Sequence, residues 1–264
     1  MRMVRKVKQF FVDIPIEEGA VINDRYRVLH VIGAGSYGIV YLVKDLELEL
    51  NKVVKQLRPS KRRNSKEVNL FNDELAVLSK LDHNRMPRLY EVFTTGGNYF
   101  YTMSFITGDN LEDLIFARHK IFQEKEALLF IEKLLVLVDY LHSRSIFHLD
   151  LRIPNMILKD EELFLIDFGL ARQENTNTLP DSHHLLKLKQ QDYYDVGDVL
   201  LYLLYTSYSS KKKKALPWTE ELSLRKETVH LLKRLLRINE PYSDISDISV
   251  DLRTALEANE NEMD

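Results

Sequence analysis

Gly33-Ala34-Gly35-Ser36-Tyr37-Gly38-Ile39-Val40 decides how the rest of this chain is read. The stretch fits G-x-G-x-x-G-x-V, which serves a dinucleotide-binding turn, a phosphate-admitting glycine hairpin or a bare flexible hairpin. The residues after Gly38 bear on the choice. Ile39-Val40-Tyr41-Leu42-Val43 is a β-branched and aromatic run, so a strand leaves the glycine cluster. A dinucleotide turn should open a helix there. Tyr26 to Ile32 supplies the strand before it. A glycine turn between two strands lets backbone N–H groups approach phosphates with no Cβ in the way.

Outward from this hairpin, Lys52 to Leu57 reads as a third strand and Tyr99 to Phe105 as another. Residues 66 to 81 switch to helical period, with Phe71, Leu75 and Leu78 on one face. From Asn110 onward helices dominate, at about 110–118, 123–143, 190–207 and 225–237. Two short strands, Met156 to Leu158 and Leu163 to Ile166, lie between them. Strands first and helices later predict an α+β chain in two lobes, hinged near Ser104 to Gly108.

The 264 residues leave room for one large domain or two small ones. With 9 Gly and 7 Pro, collagen-like and low-complexity readings fail. No cysteine is present, which excludes disulfides, thiolate metal sites and cysteine nucleophiles, and fits a reducing, cytoplasmic setting. A formal charge of -3 gives no global electrostatic case for nucleic acid. No run is expected to span a membrane. Ala127 to Leu141 is interrupted by Glu132, Lys133 and Asp139, and Val199 to Tyr205 is too short. Met1 to Phe11 mixes Arg2, Arg5, Lys6 and Lys8 with apolar residues. It reads as a leader packed on the domain, with peripheral membrane contact as the alternative.

Two charges stand where apolar residues belong. Lys55 alternates with Val53 and Leu57, and Glu74 lies on the apolar stripe of its helix between Phe71 and Leu78. A lone buried charge is costly whereas a pair is tolerable, so Lys55 and Glu74 are expected to pair. Further on stand His148-Leu149-Asp150-Leu151-Arg152-Ile153-Pro154-Asn155 and, after a short strand, Asp167-Phe168-Gly169. Asn155 and Asp167 offer hard oxygen ligands suited to Mg²⁺, which takes few protein groups alongside phosphates.

Taken in order, the glycine loop, Val53-Val54-Lys55, Glu74, His148-Leu149-Asp150 with Asn155, and Asp167-Phe168-Gly169 resemble the protein-kinase signature. Asp24-Arg25-Tyr26-Arg27 looks like the opening of bacterial Hanks-type Ser/Thr kinases. The resemblance implies a two-lobed kinase-like α+β fold, with an antiparallel N-lobe sheet carrying one main helix and a mostly helical C-lobe. It further implies a leader at 1–21, a kinase domain at 22–258 (lobes about 22–104 and 108–258) and an acidic tail at 259–264. The implied activity is transfer of the ATP γ-phosphate, with Mg²⁺ or Mn²⁺, to Ser/Thr hydroxyls of protein substrates, autophosphorylation included.

Residue by residue, the resemblance has Gly33, Ala34, Gly35, Ser36, Tyr37 and Gly38 covering the phosphates, and Lys55 holding them while paired with Glu74. Asp150 takes the acceptor's proton, Arg152 meets phosphate, and Asn155 and Asp167 hold the metal. Met103 is the gatekeeper, the Ser104 and Ile106 backbones meet the adenine edge, and Val40, Val53 and Ile157 cover its faces. Leu78, Leu89, His148 and Phe168 match the family's apolar spine. Asp192, in Asp192-Tyr193-Tyr194-Asp195-Val196-Gly197, matches the residue that supports the catalytic loop.

The chain departs from the pattern in places. Leu149 replaces the Arg before the catalytic Asp, Arg152 stands where Lys is usual, and Pro154 occupies a substrate-reading position. Val53 replaces a smaller Ala. Only Leu170 to Gln191 separates Gly169 from Asp192, with no Ala-Pro-Glu. Asp244 falls where that motif's Arg partner belongs, so the activation segment reads as coherently shortened. This shortening keeps open a small-molecule kinase on the same fold, with a pseudokinase or interaction module as a third reading. The basic runs Arg58 to Lys66 and Lys211 to Lys214 read as solvated loops, or as contacts for an anionic partner or nucleic acid. A homodimer is left open.

Overall fold

Apolar side chains on both faces of successive short runs make the first part of the chain a sheet with a covered core. The computed structural model describes residues 13–35, 38–174, 182–209 and 216–260. The chain divides into two compact units, one ending at Ile106 and the other beginning at Thr107. In the first, β1 (Val21–Ile22), β2 (Tyr26–Ala34), β3 (Gly38–Asp45), β4 (Leu50–Leu57), β5 (Leu89–Thr95) and β6 (Asn98–Ser104) form one antiparallel sheet of order β1-β2-β3-β4-β6-β5. Gly96 and Gly97 both have positive φ, which makes the two-residue turn between β5 and β6. Tyr26, Val28, Ile39, Tyr41, Val43, Val54 and Phe100 are buried together, and Phe93 stacks between Tyr26 and Phe100. Helix α1 (Ser65–Leu78) starts where the Asn64 side chain accepts from the Lys66 N–H, and it buries Phe71, Glu74, Val77 and Leu78.

In the second unit the helices are α2 (Leu111–Phe116), α3 (Glu124–His142), α4 (Ser182–Tyr205), α5 (Trp218–Glu221), α6 (Lys226–Leu235) and α7 (Ile245–Glu260). Helix α3 is its hub, with nine residues from Ala127 to Leu141 buried. The remaining strands are β7 (Asp109–Asn110), β8 (Ile146–Phe147), β9 (Met156–Lys159), β10 (Glu162–Leu165) and β11 (Arg172–Gln173). The β9–β10 hairpin turns on Asp160 and Glu161, both with positive φ, and pairs Met156 with Leu165 at its open end. That register brings residue 155 beside residues 166 and 167. The Ile166 N–H donates to the Asn155 carbonyl at 2.9 Å.

Strand β5 and helix α7 are additional to the sequence expectation, as are the short β1, β7, β8, β11 and α5, and α4 begins eight residues before the expected 190. No helix among the described residues is long and apolar enough to cross a membrane. The leader residues 1–12, Ser36 and Tyr37 of the glycine loop, Thr176 and Thr178, the run Lys211 to Lys214 and the end of the acidic tail lie outside the described residues.

Candidate active site

In the first unit the register β3–β4–β6 sets Val40 opposite Lys55 and Lys55 opposite Tyr101. Lys55 Nζ lies 2.5 Å from Glu74 Oε1, and the Tyr101 hydroxyl donates to that same oxygen at 2.8 Å. Lys55 and Glu74 are each under a tenth exposed. Two donors on one buried carboxylate offset its desolvation, which an unpaired charge would not recover. Both faces of β4 are covered from Lys52 on, so burial and not simple alternation gives Lys55 its environment.

The glycine loop joins β2 to β3. A Cβ on Gly38 would lie 2.9 Å from the Gln56 carbonyl and 3.2 Å from the Lys55 side chain, so no larger residue fits this approach. Val53 is buried, while Val40 and Met103 are half-buried. The Ser104 N–H is committed to the Arg88 carbonyl at 2.9 Å, and Arg88 N–H donates to Ser104 Oγ at 3.0 Å. Leu78 and Leu89 line one cavity of this unit.

In the second unit the short loop after β8 carries the expected catalytic residues. Asn155 Nδ2 donates to the Asp150 carbonyl and to Asp150 Oδ2, both at 2.9 Å. With its NH₂ so engaged, Asn155 presents Oδ1 as the oxygen that can bind a cation. Asp167 follows one residue past the strand-end contact at Ile166. It adopts positive φ, and its Oδ1 accepts from the Gly169 N–H at 3.2 Å. An amide oxygen and a carboxylate delivered to the same end of one hairpin fit Mg²⁺ chemistry. Ile157, half-buried, lies within this hairpin.

Beneath the loop, Asp192 on α4 is fully buried and takes up the loop's backbone. Its Oδ2 accepts from the His148 N–H at 3.0 Å and meets His142 Nε2 at 2.8 Å, and its Oδ1 accepts from the Leu149 N–H at 2.7 Å. Leu149 has a φ of 62°, an unfavourable conformation for a side chain of its kind that this anchoring holds in place. The buried His148 ring packs against Phe168 at 4.8 Å, and burial pushes its imidazole pKa down despite three nearby aspartates. Asp195, one turn along α4, accepts from Gln191 at 2.8 Å and from the Leu151 N–H at 3.3 Å. Burial raises its carboxyl to about 7. A groove of about 480 Å³ opens beside Asp150 and the exposed Arg152, walled by Pro154, Glu112, Asp195, Asp198 and Tyr202.

A model of the protein kinase domain matches residues 26–192. The chain belongs to the protein kinase family. It is 41% identical over 256 residues to the probable serine/threonine-protein kinase YbdM of Bacillus subtilis, covering 97% of this chain and 98% of that one. It is 29% identical to the serine/threonine-protein kinase PrkC of the same organism, and 32% identical to the human serine/threonine-protein kinase Nek11. These matches cover 70% and 68% of this chain, but only 31% and 30% of those longer proteins.

As a kinase, this chain has an unusual route from Gly169 to Asp192. The described part of that route from Ser182 on is already helical, being the first turns of α4. The far end of the segment is tied to the residues after α6. Lys189 on α4 lies 3.8 Å from Asp244, a partly exposed pair close to Asp192. The Arg237 guanidinium donates to the Gln190 carbonyl at 2.6 Å, and Gln190 Nε2 to the Tyr242 carbonyl at 3.3 Å. The sequence points to Asp244 but not to Lys189, which belongs to no motif. Nor does it single out Tyr101, Asp195, Asp13 or Arg58 for a role at the site. Of these only Arg58 carries a signal, as the first residue of a basic run.

Proposed function

We propose that this chain catalyses ATP- and Mg²⁺-dependent phosphorylation of Ser/Thr hydroxyls on proteins, itself included. The observation that carries this is the set Asp150, Asn155 and Asp167 on one loop and hairpin, retained together with the buried Lys55–Glu74 pair. Near-complete alignment with a relative named as a probable serine/threonine-protein kinase supports it. The domain is taken to span 22–258. The leader 1–21 and tail 259–264 flank it, and a cytoplasmic location with peripheral membrane contact through the leader is part of the proposal.

On the first unit, Lys55 would draw the α- and β-phosphates and the glycine loop would cover them with backbone N–H groups. Met103, Ser104 and Ile106 would meet the adenine, with Val40 and Val53 against its face. On the second, Asn155 Oδ1 and Asp167 would hold Mg²⁺, which neutralises charge on the β- and γ-phosphates when bound. Ile157 would cover the other face of the base. Asp150 would orient the acceptor hydroxyl and take its proton as the new O–P bond forms and the β–γ bridging bond breaks, releasing ADP. Arg152 would offset charge on the transferring group.

The test is incubation with γ-labelled ATP and Mg²⁺, followed by site mapping on the chain and on a generic protein acceptor. Label should appear on Ser or Thr. Asp150→Asn should lower transfer about a thousandfold with Mg-ADP affinity kept. Asp167→Asn should weaken Mg-nucleotide binding as well. ATP consumption without protein label would favour a small-molecule kinase, and nucleotide binding without turnover a pseudokinase.

A further inference from the structure

The basic run beginning at Arg58 is engaged from within its own unit. Lys61 pairs with Glu67 at 2.9 Å, and Arg62 donates to Asn98 at 3.0 Å. Arg58 does something more specific. It follows Leu57, the last residue of β4, which the sheet register sets opposite Gly38. Its guanidinium therefore lies at the base of the glycine loop, and Nε donates to the Gly35 carbonyl at 2.7 Å. Gly35 is the first residue past β2, where ladder pairing has stopped at Ala34 and Ile39. Its carbonyl takes Arg58 where the next strand bond would have been.

The other side of the same guanidinium meets the chain's N-terminal stretch. Arg58 Nη1 lies 3.3 Å from Asp13 Oδ2. Asp13 is committed further: Oδ1 accepts from the Ser60 N–H and Oδ2 from the Ser60 hydroxyl, each at 2.8 Å. Its side chain is only 6% exposed. Three residues on, the Ile16 N–H donates to the fully buried Tyr41 hydroxyl at 3.1 Å, which itself donates to Gln56 at 2.8 Å. Residues 13 to 16 are thus pinned at two points on β3 and on the segment after β4.

We propose that Asp13 and Arg58 form a strut that positions the glycine loop through its Gly35 carbonyl, so that the stretch ahead of the sheet sets nucleotide affinity. This rests on the reading of the Gly33–Gly38 loop as the phosphate cover. A glycine loop has many backbone states and pays entropy to close on phosphates. Holding one end before binding reduces that cost, which raises affinity without touching the chemical step. Arginine suits the task because its planar fork bonds a carbonyl and a carboxylate at once, which the single head of lysine does not reproduce.

The experiment is Mg-ADP titration by calorimetry on the full chain, with steady-state kinetics toward a generic protein acceptor. The variants are Arg58→Ala, Arg58→Lys, Asp13→Ala, Asp13→Asn and the double Asp13→Ala/Arg58→Ala. Arg58→Ala should raise the Kd for Mg-ADP and the KM for ATP about fivefold, with kcat within about twofold. Arg58→Lys should recover part of this. Asp13→Ala is decisive, because the two causes have opposite sign. If Arg58 merely attracted phosphate, removing its carboxylate partner would tighten binding; a strut predicts weakening of about threefold. The double variant should match Arg58→Ala alone, as expected of groups acting through one contact. Should an alanine variant melt below the assay temperature, Asp13→Asn and Arg58→Lys carry the same signs in near-native shape. Tighter binding in Asp13→Ala, additive effects in the double variant, or unchanged Kd in Arg58→Ala would each overturn the strut. No Mg-ADP binding by the wild type would overturn the nucleotide reading and the strut with it.

Discussion

Asp192 and Asp195 occupy one face of α4, yet they serve the catalytic loop in different ways. Asp192 takes three donors, from Leu149, His148 and His142, and is the loop's fixed support. Asp195 has one side-chain amide and one long backbone bond for a half-buried carboxyl. Burial therefore dominates, and its pKa rises from 3.8 to about 7. Between those values the native state holds a proton that the unfolded chain has released. The stability contributed by this group is full below about pH 4 and is lost as the pH rises through 7. Asp195→Asn removes the titration and keeps an acceptor for the Leu151 N–H. Urea midpoints for the two proteins at pH 5 and pH 8 should show the wild type losing on the order of 1 kcal/mol relative to the variant, after discounting for partial exposure. Parallel pH profiles would contradict the raised pKa. The grouping of Asp150, Asn155 and Asp167 was legible in the sequence because their spacing places them on one loop and one hairpin, which the structure brings together. Asp195 and Arg58 could not. Their partners, Leu151 and Gly35, lie 44 and 23 positions away, and only the completed packing reveals them.

Strand β4 and helix α1 meet through charges that their apolar neighbours made conspicuous. The Lys55–Glu74 pair was legible because a lysine and a glutamate on buried faces have few tolerable arrangements. Strand β5 was not legible, because its burial alternates but its hydrophobicity does not: Tyr90 and Val92 stay about half exposed, while Glu91 shares the inner face with Leu89 and Phe93. Helix α7 did carry a signal, with Ile248, Leu252 and Ala255 buried at helical spacing, but its many polar residues masked it. The early start of α4 was hidden in residues 182–191, where Leu185, Leu186 and Leu188 stand among polar residues and mark little hydrophobic period. For the pair itself, Glu74→Ala should cost on the order of 3 kcal/mol, because it removes the buried carboxylate that both the Lys55 ammonium and the Tyr101 hydroxyl contact. Lys55→Met with Glu74→Leu should restore most of that stability while leaving phosphoryl transfer abolished. Chemical denaturation beside a labelled-ATP assay separates the two effects. A double variant no more stable than Glu74→Ala would mean that Tyr101, which donates to the same oxygen, carries the larger share.

Across the whole chain, the residues proposed for the chemistry are all present while the parts that usually regulate it are changed. The glycine loop, Lys55, Glu74, Asp150, Asn155 and Asp167 are all present, and the likeness to the Bacillus relative runs through 97% of the chain. What differs is Leu149 and the route from Gly169 to Asp192. In this family a phosphate on the activation segment acts by attracting basic residues, chiefly the Arg before the catalytic Asp, and so orders a long loop. Leu149 offers a phosphate no charge, and its backbone is already held by Asp192. From Ser182 the route is helical and is tied to residues 237–244 by Arg237, Gln190 and Lys189. Order that phosphorylation would otherwise have to create is supplied by these contacts and by the shorter chain to be fixed. Activity should therefore not depend on segment phosphate. After complete dephosphorylation and replacement of Thr176, Thr178 and Ser182 by Ala, the initial rate toward an external protein acceptor should stay within about twofold of the untreated enzyme. Phosphate on these residues can still form as a by-product of autophosphorylation without being needed. A loss of about tenfold or more, restored by rephosphorylation of the wild type, would show that a basic group elsewhere in the chain reads the phosphate. The His183–Lys189 face of α4 would then be the place to look, beginning with Lys187→Ala.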